Sequence, residues 1–509
     1  MVRLLTSVAA LRCYLRSYRT QNPLNSVGLV PTMGGLHLGH LSLIQRARAE
    51  NGLVVVSIFV NPLQFEPNED FQIYPRQLEA DLQQCEQAGV NVLFAPSVEE
   101  MYQSSVQTMV IPPASLITGL CGKSRPGHFP GVATVVTKLF NLVQPDRAYF
   151  GQKDAQQVAI IQGLVQDLNW PIEIIPCPIV REASGLAYSS RNQYLTYLEQ
   201  KQATVLYRAL CRGQEHFHKG CNSATEIKAV VKTELETEPE VQIEYIELVQ
   251  PQTLIPLTTV ETKGLLAIAA SVGQTRLIDN LILRRRQPII AIDGPAGAGK
   301  STVTRKIAEA LGLLYVDTGA MYRAVTWLVL QSGVAVDDQV AIAEIVSKCQ
   351  IELIPDGKQP RTLINGQDVT AAIRSLEVTA NVSAIAAQSA VRQALVKQQQ
   401  GLGNQGGIVA EGRDIGTTVF PDAELKIFLT ASVQERAKRR LLELHSQENT
   451  DITQEQLEQD IAERDRLDSN RAISPLRKAT DAVEIQTDHL TIEDVIQRVV
   501  SLYSQNLRF

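Results

Sequence analysis

The chain of 509 residues is poor in aromatics, with 2 Trp, 13 Tyr and 11 Phe, or 5% in all. Its cores must therefore be built mainly from Leu, Ile, Val and Ala. No C-x-x-C pair occurs, and the seven cysteines (Cys13, Cys85, Cys121, Cys177, Cys211, Cys221 and Cys349) are odd in number and widely spaced. That argues against a disulfide scaffold or a zinc ribbon and for free thiols in a reducing compartment. No apolar run reaches the roughly 18 residues of a membrane span, and the longest, such as Leu53–Val60, read as buried strands. A charge field of one sign is missing too. The net charge of −6 divides into −3 for residues 1–280 and −3 for the rest. Neither half is a nucleic-acid binder by bulk charge, so any polyanionic ligand must be held by local clusters. With 44% apolar and 20% charged residues, collagen-like, mucin-like, rod-like and wholly disordered chains are excluded. At roughly 150 residues per domain the length predicts about three domains.

Acidic residues are absent from the first 49 positions, which hold Arg3, Arg12, Arg16 and Arg19. Such a segment fits an amphipathic transit peptide. It fits better a surface helix with Leu4, Leu5, Val8, Leu11 and Leu15 on one face. Strand-like Val27–Val30 follows at once, leaving no room for a removable extension. A surface helix and a cytoplasmic location are the expectation.

What is present is a strand–helix alternation. Val27–Val30, Val54–Val60 and Val90–Ala95 read as strands, and Leu41–Ala49 and Arg76–Gln87 as helices. That progression predicts a parallel, doubly wound sheet. From about Ile179 the pattern changes to helical Leu198–Phe217 and strand-like Val241–Leu248 and Leu265–Val272, a smaller α+β domain. After a basic linker, Leu283–Pro288, a fresh strand Ile289–Ile292 restarts the α/β pattern. The expected domains are 1–178, 179–280 and 281–509.

The restart carries Gly294-Pro295-Ala296-Gly297-Ala298-Gly299-Lys300-Ser301, a full G-x-x-x-x-G-K-[ST] match between a strand and the helical Thr302–Leu311. Such a loop wraps phosphates with backbone N–H groups. Lys300 reaches the β and γ phosphates, and the Ser301 hydroxyl ligates Mg²⁺. Downstream stand Asp317-Thr318-Gly319-Ala320-Met321-Tyr322-Arg323, then Glu411-Gly412-Arg413-Asp414-Ile415-Gly416, then the arginine-dense Glu463–Arg471. The last is either a solvated, salt-bridged face or an arginine lid over a transferring phosphoryl group. Together these motifs resemble the cytidylate kinases over essentially all of 288–505. The resemblance implies a P-loop nucleoside-monophosphate-kinase fold with an acceptor-binding insertion at about 335–400. It further implies ATP on Gly294–Thr302, and CMP or dCMP as acceptor. Ser383, Arg392 and Asp414 would then line the base pocket. Asp317, Thr318, Tyr322, Arg323 and Arg413 would hold the acceptor, with Arg323 and Arg413 on its phosphate. Asp468 and Arg471 would face the ribose, and Arg464 would reach the phosphates as a lid. The chemistry agrees: a carboxylate accepts from the cytosine amine, while Arg392 and Ser383 can donate to O2 and N3.

In the first unit, Met33-Gly34-Gly35-Leu36-His37-Leu38-Gly39-His40 follows the first doubly wound strand, with two imidazoles at a helix start where phosphate is favoured. A metal pair or ordinary loop histidines are the alternatives, but no further His or Cys lies nearby to complete a zinc site. Phe59-Val60-Asn61-Pro62-Leu63-Gln64-Phe65, Gly151-Gln152-Lys153-Asp154-Ala155-Gln156-Gln157 and Tyr188-Ser189-Ser190-Arg191-Asn192 add amides, a point charge and a candidate mobile loop. Arg125–Phe129 reads as a second anion-contacting loop or as a plain surface turn.

Together these resemble the pantothenate synthetases (pantoate–β-alanine ligases) over roughly 1–280, though that family usually has another residue where Gly35 stands. The resemblance implies a Rossmann-like HxGH nucleotidyltransferase domain with a small closing domain, acting through pantoyl adenylate. His40, His37 and Lys153 would be catalytic. Met33–His40, Gly151–Asp154, Val180, Tyr188, Ser189, Ser190 and Arg191 would contact ATP. Gln64, Gln157 and Asn61 would hold pantoate or β-alanine. It implies Mg²⁺ with ATP, no tightly bound organic cofactor, no nucleic-acid or membrane partner, and a homodimer through the ligase unit. The alternatives are another HxGH nucleotidyltransferase joined to an adenylate-type kinase, or one decayed unit serving as scaffold. FVNPLQF and EGRDIG argue against the first, and the intact motifs against the second.

Overall fold

The computed structural model describes all residues except 1, 24, 67–70, 103–107, 357–359, 446–452, 470–474 and 507–509. The chain divides into two compact units, Met1–Arg285 and Arg286–Phe509.

The first unit is built on six parallel strands: β1 (Arg3–Leu5), β2 (Val27–Thr32), β3 (Leu53–Ile58), β4 (Val92–Phe94), β5 (Arg147–Gly151) and β6 (Glu173–Cys177). Their spatial order is β1-β4-β3-β2-β5-β6. The central strands are apolar on both faces: Leu29 and Val55 pack into one cluster, Val30 and Val56 into another. Helices cover both faces, as a parallel sheet requires. The chain winds away from β2 in both directions, so the carboxyl ends of β2 and β5 flank the topological switch point where α/β sheets bind ligands.

The arginine-bearing segment at the start, expected to be one surface helix, is the strand β1, which holds Arg3, Leu4 and Leu5, followed by the helix Val8–Gln21 with Arg12, Arg16 and Arg19. Ser7 caps it, and Leu11 and Leu15 are buried in the core. Its Arg19 donates to the Val143 and Gln144 carbonyls at 2.6 and 2.9 Å, at the C-terminal end of the helix His128–Val143. Those are acceptors with no partner inside that helix.

The smaller domain pairs an antiparallel sheet, β7 (Val241–Val249), β8 (Lys263–Val272) and β9 (Thr275–Arg284), with helices Val205–His218 and Ala224–Leu235. Three expectations are corrected here. The helix expected over 198–217 is two, Tyr197–Ala203 and Val205–His218, meeting at Thr204. The helix Ala224–Leu235 was not anticipated. Strand β9 runs through Arg284, paired with Lys263 of β8, so residues 281–284 belong to the first unit and the linker is shorter than 283–288.

The second unit has a parallel sheet, β11-β15-β10-β16-β17, from β10 (Ile289–Asp293), β11 (Leu314–Asp317), β15 (Ile408–Gly412), β16 (Leu425–Thr430) and β17 (Val483–Gln486). The insertion at 335–400 is a small antiparallel sheet, β12 (Ile351–Ile354), β13 (Arg361–Ile364) and β14 (Gln367–Asp368). Helices Leu376–Ala386 and Ser389–Leu402 accompany it. Among the described residues no helix is long and apolar enough to cross a membrane, and all seven cysteines are free thiols.

Because Leu29 is fully buried in the central strand of the first sheet, Leu29→Ala should cost about 2–5 kcal/mol. The check is the urea midpoint at which the first unit unfolds, followed by circular dichroism of the full chain.

Candidate active sites

The cleft of the first unit lies at the switch point and encloses about 220 Å³. His37 caps the helix Leu38–Glu50, its Nδ1 accepting from the Gly39 N–H at 3.1 Å, so its proton sits on Nε2. The ring centroid of His40 is 4.1 Å from that of His37, and Tyr188 stacks on His37 at 6.1 Å. A Cβ on Gly39 would stand 2.8 Å from the His37 ring, so only glycine allows this packing. Burial lowers His37 to about 4, with Lys153 adding to the effect. Burial lowers His40 to about 3, with His37 and then Lys153 adding to it. Both rings are therefore neutral at physiological pH and act as neutral donors or acceptors, not as standing cations.

Lys153 supplies the fixed cation. Its Nζ pairs with Asp154 at 3.3 Å. Burial alone would push the Asp154 carboxyl up, but Lys153, then Arg191 and His128, carry it below the usual range. Two residues of β9 position this loop. Asn280 donates to the Gln152 and Lys153 carbonyls, both at 2.9 Å, and Asp279 holds Arg181 through two bonds of 2.6 and 2.8 Å. Arg181 bridges to Ala187, and the Tyr188 N–H donates to the Val180 carbonyl at 3.0 Å. The Tyr188–Asn192 segment is thereby fixed beside the histidines.

Of the residues expected here, Met33, His37, Gly39, His40, Gln64, Gly151, Lys153, Asp154, Gln157, Val180, Tyr188, Ser189, Ser190 and Arg191 line the cleft. Gly34, Gly35, Leu36, Leu38, Gln152 and Asn61 do not. Leu36 is buried and Leu38 is exposed. Asn61, expected to hold substrate, is buried beside the cleft and bonded to its neighbours. Its amide donates to Gln64 Oε1 and the Gly131 carbonyl, both at 3.1 Å, and its oxygen accepts from Tyr102 and the Leu63 N–H. With its bonding capacity spent, Asn61 fixes Gln64, which also donates to Met33 Sδ at 2.7 Å. Arg125 and His128 flank an exposed turn at Pro126 and Gly127, and both bond the Gln64 carbonyl.

One residue escaped sequence reasoning. Asp81, fully buried on the helix Leu78–Gln87, accepts from Gly35 N–H at 3.0 Å and Leu36 N–H at 2.8 Å. It ties down the glycine turn ahead of His37. Its spacing from Cys85 on the same buried face was the available signal, but nothing local says what it binds.

In the second unit the phosphate loop joins β10 to the helix Lys300–Leu311. Gly294 has φ +151, and a Cβ there would stand 2.1 Å from the Leu429 carbonyl oxygen. Lys300 is buried, and its Nζ donates to the Gly294 and Pro295 carbonyls at 2.8 and 2.7 Å. Burial, then Arg413, lowers its pKa. Ser301 borders Tyr315 and Glu411, Thr302 follows it in the helix, and the Thr318 hydroxyl donates to the Glu411 carbonyl at 2.7 Å.

Three arginines of this unit are each matched by a carboxylate. Asp317 caps the helix Thr318–Gln331 and pairs with Arg323 at 2.9 Å. Arg413 pairs with Asp468 at 2.9 Å, and Arg392 with Asp414 in a buried bond. The Arg392 guanidinium lies 5.5 Å from the Tyr322 ring centroid. Ser383 is half-buried on the helix Leu376–Ala386, and Arg464 lies on the helix Gln454–Ser469. Arg471 lies outside the described residues. Two further residues were missed. Asp293 accepts from the Ile415 and Gly416 N–H groups, both at 2.7 Å, clamping the EGRDIG segment beside the phosphate loop. Burial raises its pKa to about 6 against those two bonds. Arg436 is buried, bonds the Ala296 carbonyl at 3.1 Å and pairs with Asp465 at 2.5 Å.

This geometry defines two nucleotide-phosphate sites on α/β sheets: a Rossmann-like site with an imidazole pair, and a P-loop kinase. Residues 3–282 match the family described as pantoate-beta-alanine ligase, and residues 290–505 that described as cytidylate kinase. A protein of Nostoc sp. described as bifunctional pantoate ligase/cytidylate kinase is 61% identical over 99% of both chains. Another of that description, from Synechocystis sp., is 56% identical over 99% of both. A crystal structure of pantothenate synthetase from Thermus thermophilus superposes with TM-score 0.53 and 47% identity, covering 55% of this chain and 99% of that one. The chain belongs to the family of bifunctional pantoate ligase/cytidylate kinases, and its units are an ATP-dependent pantoate–β-alanine ligase and a cytidylate kinase.

With folded-state values near 4 and 3, the His37 and His40 imidazole resonances should not titrate between pH 5.5 and 8 in NMR of the nucleotide-free enzyme. An inflection in that window would refute the assignment of neutral rings. The linkage has a sign: the unfolded chain gains protons below about pH 6.5 that these folded histidines refuse. Their contribution to stability is therefore full above that pH and falls as pH drops toward 4. Separately, Asp81→Asn should cost about 1–3 kcal/mol by leaving a buried N–H without its acceptor. It should also raise the KM for ATP, read by denaturation and steady-state kinetics.

Proposed function

We propose that the first unit condenses pantoate with β-alanine in two steps. A pantoate carboxylate oxygen attacks the α-phosphorus of ATP and pyrophosphate leaves. The β-alanine amine then attacks the acyl carbon of pantoyl adenylate, AMP leaves, and the amine proton passes to solvent. Activation is needed because a carboxylate resists an amine at neutral pH. The observation that carries this reading is the neutral His37–His40 pair beside Lys153 at the switch point. Neutral imidazoles donate to phosphate oxygens, and Lys153 offsets the charge that develops on the leaving group. Gln64 and Gln157 would orient pantoate. Ser189, Ser190 and Arg191 would contact ATP.

The second unit would move the γ-phosphoryl of ATP to the 5′-phosphate of CMP or dCMP, with no covalent enzyme intermediate. Lys300 would exchange the carbonyls of its own loop for phosphate oxygens. Arg323 and Arg413 would bind the acceptor phosphate, and Asp414 would accept from the cytosine amine. The donors beside the phosphate loop suit Mg²⁺: the Ser301 hydroxyl and the buried Glu411 carboxylate, whose Oε2 has no hydrogen-bond partner. Ser301 and Glu411 would hold the ion, directly or through water, and it would neutralise phosphate charge. We further propose a cytoplasmic enzyme, dimeric through its ligase unit.

Exchanging one residue per unit separates the activities. His40→Ala should lower pantothenate formation by about 10²–10⁴-fold and leave CMP phosphorylation intact, and Lys300→Ala should do the reverse. AMP release with pantoate plus β-alanine, and ADP release with CMP, read both. A Lys300→Ala protein with full CMP kinase activity would sink the kinase assignment.

A further inference from the structure

The cluster His216, Cys221 and Glu226 lies in the smaller domain of the first unit, and no step above uses it. His216 is in the last turn of the helix Val205–His218, Glu226 in the first turn of the helix Ala224–Leu235, and Cys221 in the turn between them. Cys221 Sγ donates to Glu226 Oε2 at 3.5 Å, and His216 Nε2 is 4.0 Å from the same oxygen. The three ligand atoms lie within 4.8 Å of one another.

The backbone fixes this arrangement. Gly220 takes φ +102, which reverses the chain and which an L side chain would strain. The Val260 N–H donates to the Asn222 carbonyl and the Ala224 N–H to the Thr258 carbonyl, both at 2.9 Å, pinning either side of the thiol-bearing turn. Phe217, Ala224 and Ile227 anchor the flanking helices in the domain core. The side chains are reachable from solvent: His216 is 35% and Glu226 66% exposed.

We propose that His216, Cys221 and Glu226 form a binding site for a zinc ion, with one coordination position left to water. An imidazole nitrogen, a thiolate and a carboxylate are the three donor types zinc takes, and a tetrahedral ion places its ligand atoms roughly 3.3–3.8 Å apart. Two of the three separations are already at or near that spacing, and the third, between His216 and Cys221, is at most 4.8 Å and can be closed by rotation of the partly exposed His216 ring. The proton on the Cys221 thiol, now shared with Glu226, passes to solvent as the metal–sulfur bond forms. The alternative of a nucleophilic thiol is disfavoured, because the thiol's partner is a carboxylate and not the imidazole that would take its proton. Bound zinc would staple the two helices at their connecting turn, remote in sequence from every catalytic motif of the ligase.

The test uses the full-length protein stripped of metal and free of nucleotide. Cobalt(II) titration should give one equivalent with a sulfur-to-cobalt charge-transfer band and tetrahedral d–d bands, bleached by zinc. Cys221→Ser should remove the charge-transfer band. His216→Ala and Glu226→Gln should each weaken zinc binding by roughly tenfold or more, while Cys211→Ser, on the same helix as His216, should change nothing. Zinc should raise the thermal midpoint of the parent protein but not that of Cys221→Ser. Circular dichroism and pantothenate formation of each variant report that the fold is kept. No charge-transfer band in the parent protein, or a band that survives Cys221→Ser, overturns the proposal.

Discussion

On the proposed reading, the cations that would meet a nucleotide are wholly or partly withdrawn from water in both units, and a buried cation without a partner is among the most expensive things a fold can hold. The structure meets that constraint the same way throughout. Lys153 is paired with Asp154, Arg323 with Asp317, Arg413 with Asp468 and Arg392 with Asp414. Lys300 is satisfied by two carbonyls of its own loop. Binding of a nucleotide is then an exchange of partners, not a first neutralisation. The affinity gained is the difference between phosphate and the resident acceptor, which leaves most interaction free energy for the transition state, where phosphate charge is redistributed.

The histidines of the ligase site show the other solution. Desolvation suppresses their charge outright, so they can sit against Lys153 without adding a second and third cation. That requires a rigid, dry wall. Asp81 holds the glycine turn, Asn280 holds the Lys153 loop, and Asn61 holds Gln64. Asp81 accepts from two backbone N–H groups, Asn280 donates both amide hydrogens to backbone carbonyls, and Asn61 bonds Gln64, the Gly131 carbonyl, the Leu63 N–H and the Tyr102 hydroxyl. These are positioning residues: they do not line the cleft, yet they set where its donors point. In the kinase unit Asp293 and Arg436 do the same for the phosphate loop.

That division also explains what could be read from the chain alone. Motifs whose chemistry is local were legible: a phosphate loop between strand and helix, an HxGH at a helix start, and alternating apolar runs that gave a parallel sheet. The positioning residues were not, because their partners lie far away in sequence. Asp81 reaches Gly35 and Leu36 across more than forty residues, and Asp293 reaches Ile415 and Gly416 across more than a hundred. Nothing in the periodicity around Asp81 or Asp293 encodes that pairing. Asn61 stands in a legible motif, but a motif shows a polar residue without showing that its bonds go to Gln64, Gly131, Leu63 and Tyr102. The first unit runs five residues past the expected edge at 280, to Arg285, because Leu283–Arg286 looks basic and loop-like while β9 continues to Arg284 on pairing with β8.

On the proposed reading of the kinase site, the Arg392–Asp414 pair also accounts for base selectivity by a penalty instead of an attraction. Both groups are buried, at 4% and 6% side-chain exposure. Opening the pair for a base is tolerable only if the base returns a donor to Asp414 and acceptors to Arg392. Cytosine does both. Uracil places a carbonyl oxygen where the amine stood, so Asp414 would face another acceptor while cut off from water. The cost is that of an unsatisfied buried charge, larger than the loss of one hydrogen bond in water. A site built this way rejects the wrong base more strongly than it attracts the right one, as expected wherever buried polar groups must be matched and not merely covered.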